Sequence, residues 1–110
     1  MKKHFDREIH FGTYLLSEWV EALDCEDIEE GVKMLNKNPF KQIAKLVEIG
    51  INSSADLTGA DKITTIEAFQ LVDKSGGIKS DLIEAYLTDF FDSIQVKPQG
   101  KQKAKARGKK

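Results

Sequence analysis

The sequence predicts a small all-α protein: a bundle of about five helices within residues 1–96, opened by a short extended segment and followed by a disordered basic tail over 97–110. Three observations predict this architecture. Apolar residues recur every three to four positions in successive segments, which places them on one face of a helix. Capping residues and glycines punctuate those segments at their ends. Charge and composition also change abruptly at residue 97. Residues 1–96 carry ten Lys and Arg against all eighteen Asp and Glu, a formal charge of −8, whereas 97–110 carry seven basic residues and no acidic one. That last stretch has no large apolar side chain with which to pack.

With 110 residues, 40% of them hydrophobic, the chain is the size of one domain. A body of this length buries roughly two-thirds of its unfolded surface, enough for one core without covalent staples.

At the N-terminus, Phe5, Ile9 and Phe11 alternate with mostly polar neighbours. This is the period of a short half-buried strand over Lys3–Phe11, interrupted by Arg7. Gly12 breaks the pattern and Thr13 is placed to cap a first helix, Thr13–Leu23. In it Leu15, Leu16, Trp19, Val20 and Leu23 form one wide stripe opposite Ser17, Glu18 and Glu21. The next segment opens on acidic residues and closes on Lys33 and Lys37, matching the helix macrodipole, with Ile28, Val32 and Leu35 as its buried edge. Gly31 inside it costs about 1 kcal/mol relative to Ala, so it signals either close helix packing or a short, irregular helix.

Asn38-Pro39 is the clearest start signal, an N-cap followed by a proline at the first helical position. A third helix follows from Pro39 to about Ile49, with Phe40, Ile43, Ala44, Val47 and Leu46 inward and Gly50 as its stop. Residues 51–63, rich in Ser, Asn, Asp and Gly, read as a connector. Thr64 and Glu67 fit a capping box, and Ile66, Phe69, Leu71 and Val72 mark a short helix stopped by Ser75-Gly76-Gly77. Ser80 caps the last helix, in which Leu82, Ile83, Tyr86, Leu87, Phe90, Phe91 and Ile94 sustain the helical period. As the most hydrophobic helix it is expected to lie centrally.

Charges interrupt the N-terminal region where a signal peptide needs its apolar run, and no window approaches eighteen uncharged apolar residues. A soluble, cytoplasmic protein is expected. Cys25, the single cysteine, lies between Asp24 and Glu26, which raise rather than lower a thiol pKa, so it reads as a small core residue. His4 and His10 share a strand face but lack metal-ligand spacing. Glu29 and Glu30 suit a solvated first helical turn. Gly76-Gly77 lacks the strand before it and the Lys-Ser or Lys-Thr after it that a phosphate loop needs. Ser53 and Ser54 lack a nucleophile-elbow setting. No catalytic, cofactor or metal template fits, and a non-enzymatic protein is expected.

The Tyr86, Phe90, Phe91 stripe has the spacing of core residues. A helical body this rich in apolar positions also suggests a face for a partner or a second copy, on Leu15, Trp19 and Leu23 or on Tyr86, Phe90 and Phe91. Glu18, Glu21, Glu29 and Glu30 offer a charged rim for a basic client. The tail 97–110 suggests phosphate binding, the basis of an alternative reading as a small nucleic-acid-associated regulatory protein. It has no aromatic residue for stacking, and the −8 body repels a duplex. The same charges can contact acidic protein surface, including the chain's own body.

In the order of its parts the chain resembles the phage tail assembly chaperones of long-tailed phages and prophages of Gram-positive hosts. The resemblance covers residues of about 5 to 95. It rests on Phe11-Gly12 before the first helix, Leu35-Asn36-Lys37-Asn38-Pro39-Phe40 opening another that ends near Ile49-Gly50, Thr65-Ile66-Glu67-Ala68-Phe69 with Val72-Asp73, and Asp89-Phe90-Phe91-Asp92-Ser93 closing the last. Its motifs are short, its N-terminal segment is more polar than the family's, and the family has no invariant active-site residues. The resemblance implies a helical protein without cofactor that binds the tape measure protein, keeps it soluble and helps recruit tail tube subunits in the host cytoplasm. It also implies a programmed ribosomal frameshift near the gene's end, with which the Lys-dense segment Lys101–Lys110 is compatible.

Overall fold

The computed structural model describes residues 2–94. In chain order these form β1 (Lys2–His4), β2 (Arg7–Ile9), α1 (Thr13–Leu23), α2 (Ile28–Lys37), α3 (Pro39–Thr58), α4 (Thr65–Lys74) and α5 (Asp81–Ile94). The described body is therefore all-α with one small hairpin. The basic tail lies outside the described residues.

The expected single strand is a hairpin. Phe5 and Asp6 take left-handed conformations (φ 57° and 59°), reversing the chain so that Lys2 pairs with Ile9 and His4 with Arg7. No glycine advertises this turn, and two successive left-handed residues without one are uncommon.

Helix α1 has the expected bounds, but Thr13 is its first helical residue. Gly12 takes the cap position with no side-chain cap bond, and left-handed Asp24 ends the helix. In α2, the Asp27 carboxylate accepts from the Glu30 backbone N–H at 2.9 Å, and Glu29 and Glu30 occupy the first turn. Gly31 is a close-packing glycine: a Cβ there would meet the Trp19 ring at 2.7 Å.

The largest difference lies in α3, which passes through Gly50 and ends at Thr58, where left-handed Gly59 (φ 81°) caps it. Residues 51–58, expected as connector, are therefore helical. Gly50 leaves room for Tyr86, whose ring and hydroxyl occupy the space a side chain would need. Ser53, Ser54 and Ala55 are buried, with the Ser53 hydroxyl donating to the Gly50 carbonyl (3.3 Å) and the Ser54 hydroxyl accepting from the His10 N–H (2.8 Å). These partners offset the cost of burying the hydroxyls.

The remaining connector is pinned to α3. The Asn52 side chain donates to the Ile63 carbonyl (3.0 Å) and accepts from the Ile63 N–H (2.8 Å). The Thr64–Glu67 capping box then opens α4.

Helix α3 occupies the centre, packing against α1, α2, α4 and β2, so the expected central placement of α5 is corrected. A 20-residue helix buried along much of its length can touch elements on several sides. Helix α5 inserts Ile83, Tyr86 and Phe90 into the same core. Phe40, expected inward, is 71% exposed because the buried stripe of α3 starts only at Gln42 and Ile43, leaving the first turn outside the core. On α4 the buried residues are Ala68 and Val72, while Ile66 and Phe69 face solvent.

Candidate functional site

Five of the six residues expected to offer a docking face are core. Leu15, Trp19, Leu23, Tyr86 and Phe90 are buried within the monomer, and Phe91 is 37% exposed. The physical reason is mutual packing. Trp19 and Phe90 meet edge to face with ring centroids 4.9 Å apart, while Trp19 also rests on Gly31. The Tyr86 ring is bordered by His4, Phe5 and Phe11, and its hydroxyl donates to the Leu46 carbonyl at 2.7 Å. Burial raises the Tyr86 phenol pKa far above its ordinary value.

Phe91 stands at the edge of a shallow groove of about 420 Å³ bounded by Ile78, Lys79, Glu84, Leu87, Thr88 and Phe91. Local sequence builds it. Gly76 and Gly77 adopt φ of 110° and 97°, conformations that disfavour other residues, and turn the chain after α4. The Gly77 N–H donates to the Val72 carbonyl (2.9 Å) and the Ser80 N–H to the Gly77 carbonyl (3.1 Å), which brings Ile78 beside the next helix. The Ser80 hydroxyl accepts from the Ile83 N–H at 3.3 Å, opening α5.

Along α5, Ile83, Tyr86 and Phe90 face the core. Leu87 and Phe91, four apart, share the adjoining face, with Phe91 braced against Phe90 at a centroid distance of 5.5 Å. The groove has apolar walls with one charge of each sign, Lys79 and Glu84, at its margin. Covering the exposed third of Phe91, roughly 70 Å², contributes about 2 kcal/mol to an association.

The expected acidic rim does not gather around this groove. Glu18 lines a separate hollow between α1 and α3 with Ala22, Glu48, Asn52, Asp56 and Lys62. There Asp56 accepts from the Tyr14 hydroxyl (2.8 Å) and pairs with Lys62 (2.7 Å). The hydrogen bonds from Lys62 and Tyr14 lower the Asp56 pKa. Glu21, Glu29 and Glu30 are exposed, and Glu30 is engaged locally by the Glu26 N–H at 2.7 Å.

Cys25 is partly buried against the core, and burial followed by the nearby Glu30 raises its thiol pKa. His4 is tied to Asp89 across 2.7 Å, and the His10 N–H is bonded to Ser54. Sequence reasoning missed the contribution of Ile78 and Leu87 to an exposed groove. The signal was the Gly76-Gly77 pair, taken there only as a helix stop.

Comparison with models of protein families, with curated proteins and with solved structures finds no match. None of the described helices is long and apolar enough to cross a membrane.

Proposed function

We propose that the protein is a phage tail assembly chaperone that binds the helical tape measure protein, keeps it soluble and helps recruit tail tube subunits around it. The observation that carries this reading is the groove of Ile78, Leu87 and Phe91, an apolar strip formed by one face of α5 and the turn before it, with charges at its margin. An amphipathic client helix binds such a surface through apolar anchors spaced three to four residues apart. The order of sequence elements set out above supports the same reading. Binding rather than catalysis is the activity, no cofactor takes part, and the work is done in the bacterial host cytoplasm.

Co-expression tests it. The proposed client, a long helical tape measure protein of the same phage or prophage, is expected in the soluble fraction, bound to the chain, only when the chain is present. Phe91→Glu is expected to return that protein to the insoluble fraction without unfolding the chaperone. If the long protein's solubility is the same with and without the chain, the reading fails. Retention of the chain on DNA or RNA that disappears when residues 97–110 are removed would favour the nucleic-acid alternative instead.

A further inference from the structure

Charge is segregated along the chain between α1 and α3. Residues 13–30 carry seven acidic residues and no basic one, whereas residues 31–47 carry four lysines and no acidic one. The boundary falls inside α2, which is acidic at its start and basic at its end. At 3.6 residues per turn, Glu30, Lys33 and Lys37 fall within a sector of roughly 60°, on the side away from the buried Gly31 and Leu35. The Glu26 N–H donates to the Glu30 carboxylate at 2.7 Å, which sets Glu26 next to Glu30 at the acidic end. All four residues are exposed. None of them is in an ion pair among the described residues, whose pairs are His4 with Asp89 and Lys62 with Asp56.

Glu26, Glu30, Lys33 and Lys37 thus form a stripe of two negative charges followed by two positive ones. A uniformly acidic or uniformly basic partner is attracted by one half of it and repelled by the other. A second copy turned end for end matches both halves at once. We propose that α2 pairs antiparallel with α2 of a second copy about a two-fold axis. Glu30 meets the second copy's Lys33 and Glu26 meets its Lys37, each contact being made twice. Charge fixes the register: sliding the pair until Lys33 meets its own equivalent, or running the helices parallel, sets like charges together.

Exposed apolar surface adds to the contact. Phe40 stands two residues past Asn38, where α2 ends and α3 begins, and at 71% it is the most exposed of the large hydrophobic side chains described. That leaves roughly 140 Å² of it uncovered in each copy. A two-fold pair carries one such ring past each end of the helix contact. A pair of ten-residue helices falls below the roughly 1,200 Å² of a standard interface. The dimer is therefore reversible, and its surface ion pairs make it weaken with salt. The stripe shares no residue with the groove at Phe91, so the pairing does not depend on the client.

Sedimentation of full-length chains tests it by charge reversal. One variant carries Glu26→Lys with Glu30→Lys, making the stripe all positive, and the other carries Lys33→Glu with Lys37→Glu, making it all negative. At low salt the native chain is expected to form a reversible dimer, and each variant alone to associate at least about tenfold more weakly. An equimolar mixture of the two variants is expected to recover the dimer, since opposite stripes then match. Lys2→Glu with Lys3→Glu, exposed on the hairpin, shifts net charge as much as the second variant does and is expected to leave the native dimer constant within about twofold. Near 1 M salt, where the screening length is about 3 Å, the native dimer is expected to weaken. Circular dichroism reports whether each variant folds. Where a reversed chain does not, the neutral double variant Glu30→Gln with Lys33→Gln replaces it and is expected to dimerise at least about threefold more weakly than the native chain. A native chain that stays monomeric up to concentrations on the order of millimolar overturns the proposal. So do reversed chains that dimerise alone as the native chain does, a mixture that stays monomeric, or a neutral variant with native affinity.

Discussion

The Tyr86 hydroxyl donates to the Leu46 carbonyl oxygen across 2.7 Å and fills the space that a side chain at Gly50 would occupy. One glycine thus joins α5 to the centre of α3. Gly50→Ala gains about 1 kcal/mol of helix propensity but forces Tyr86 out of place, an overpacking cost of about 1–3 kcal/mol with the loss of a hydrogen bond worth about 1 kcal/mol added to it. Net destabilisation is expected in denaturant unfolding. Adding Tyr86→Phe removes the overlapping oxygen, so the double variant should lose less stability than the sum of the singles. Strict additivity would show that the two positions do not compete for the same space.

The same burial makes stability pH-dependent. The unfolded Tyr86 phenol ionises near its ordinary pKa of 10.0, while the folded one holds its proton far higher. Below pH 10 both states keep the proton and the group adds no pH dependence. Above it the unfolded state releases a proton that the folded state retains, so stability falls by about 1.4 kcal/mol per pH unit. Equilibrium unfolding between about pH 9 and 11 is expected to show this extra slope, roughly one proton's worth, in the native chain and not in Tyr86→Phe. Equal slopes would exclude Tyr86 as its source.

Gly31→Ala places a methyl 2.7 Å from the Trp19 ring and pushes α2 away from α1. The expected cost is about 1–3 kcal/mol of overpacking against about 1 kcal/mol of helix gain. Trp19 is the single tryptophan, so its fluorescence reports directly on this contact. A red-shifted emission with lowered stability is expected. Unchanged emission and stability would mean that the contact relaxes freely.

Asn52→Ala removes both bonds to the Ile63 backbone and leaves a part-buried N–H and carbonyl without that partner. A loss of about 1–3 kcal/mol is expected, together with faster hydrogen exchange at Ile63. Exchange at Ile63 equal to that of the native chain would show the connector to be held elsewhere.

The legibility of the sequence followed how much each signal depended on distant partners. The bounds of α1 and the start of α4 were readable because an apolar stripe and the Thr64–Glu67 box are local. The end of α3 was not, because Gly50 and the small polar residues after it have two physical uses. They end helices when exposed, and they admit close neighbours when buried. Only the opposed Tyr86 and the His10 N–H distinguish the two cases. A stripe of Ile43, Val47, Gly50 and Ser54 does continue the helical spacing once small residues are counted as buried. The hairpin was hidden because Phe5 and Asp6 turn it without glycine. For the candidate site, periodicity marked the core face of α5 and could not separate Phe90, which meets Trp19, from Phe91 next to it, which stays partly exposed.

Phe91 distinguishes the proposed binding role from a purely structural one. Phe91→Glu gives up the part of the ring packed on Phe90 and is expected to cost about 1–3 kcal/mol of stability, whereas Trp19→Ala in the core is expected to cost about 3–5 kcal/mol. The most direct measurement is the affinity of the folded native chain and of folded Phe91→Glu for the proposed client, a tape measure protein of the same phage or prophage. Tight binding by the native chain, weakened at least about tenfold in the variant, is the expected result, equivalent to about 1.4 kcal/mol. Equal affinities would contradict docking on this groove, and no binding by either chain would contradict the chaperone role itself.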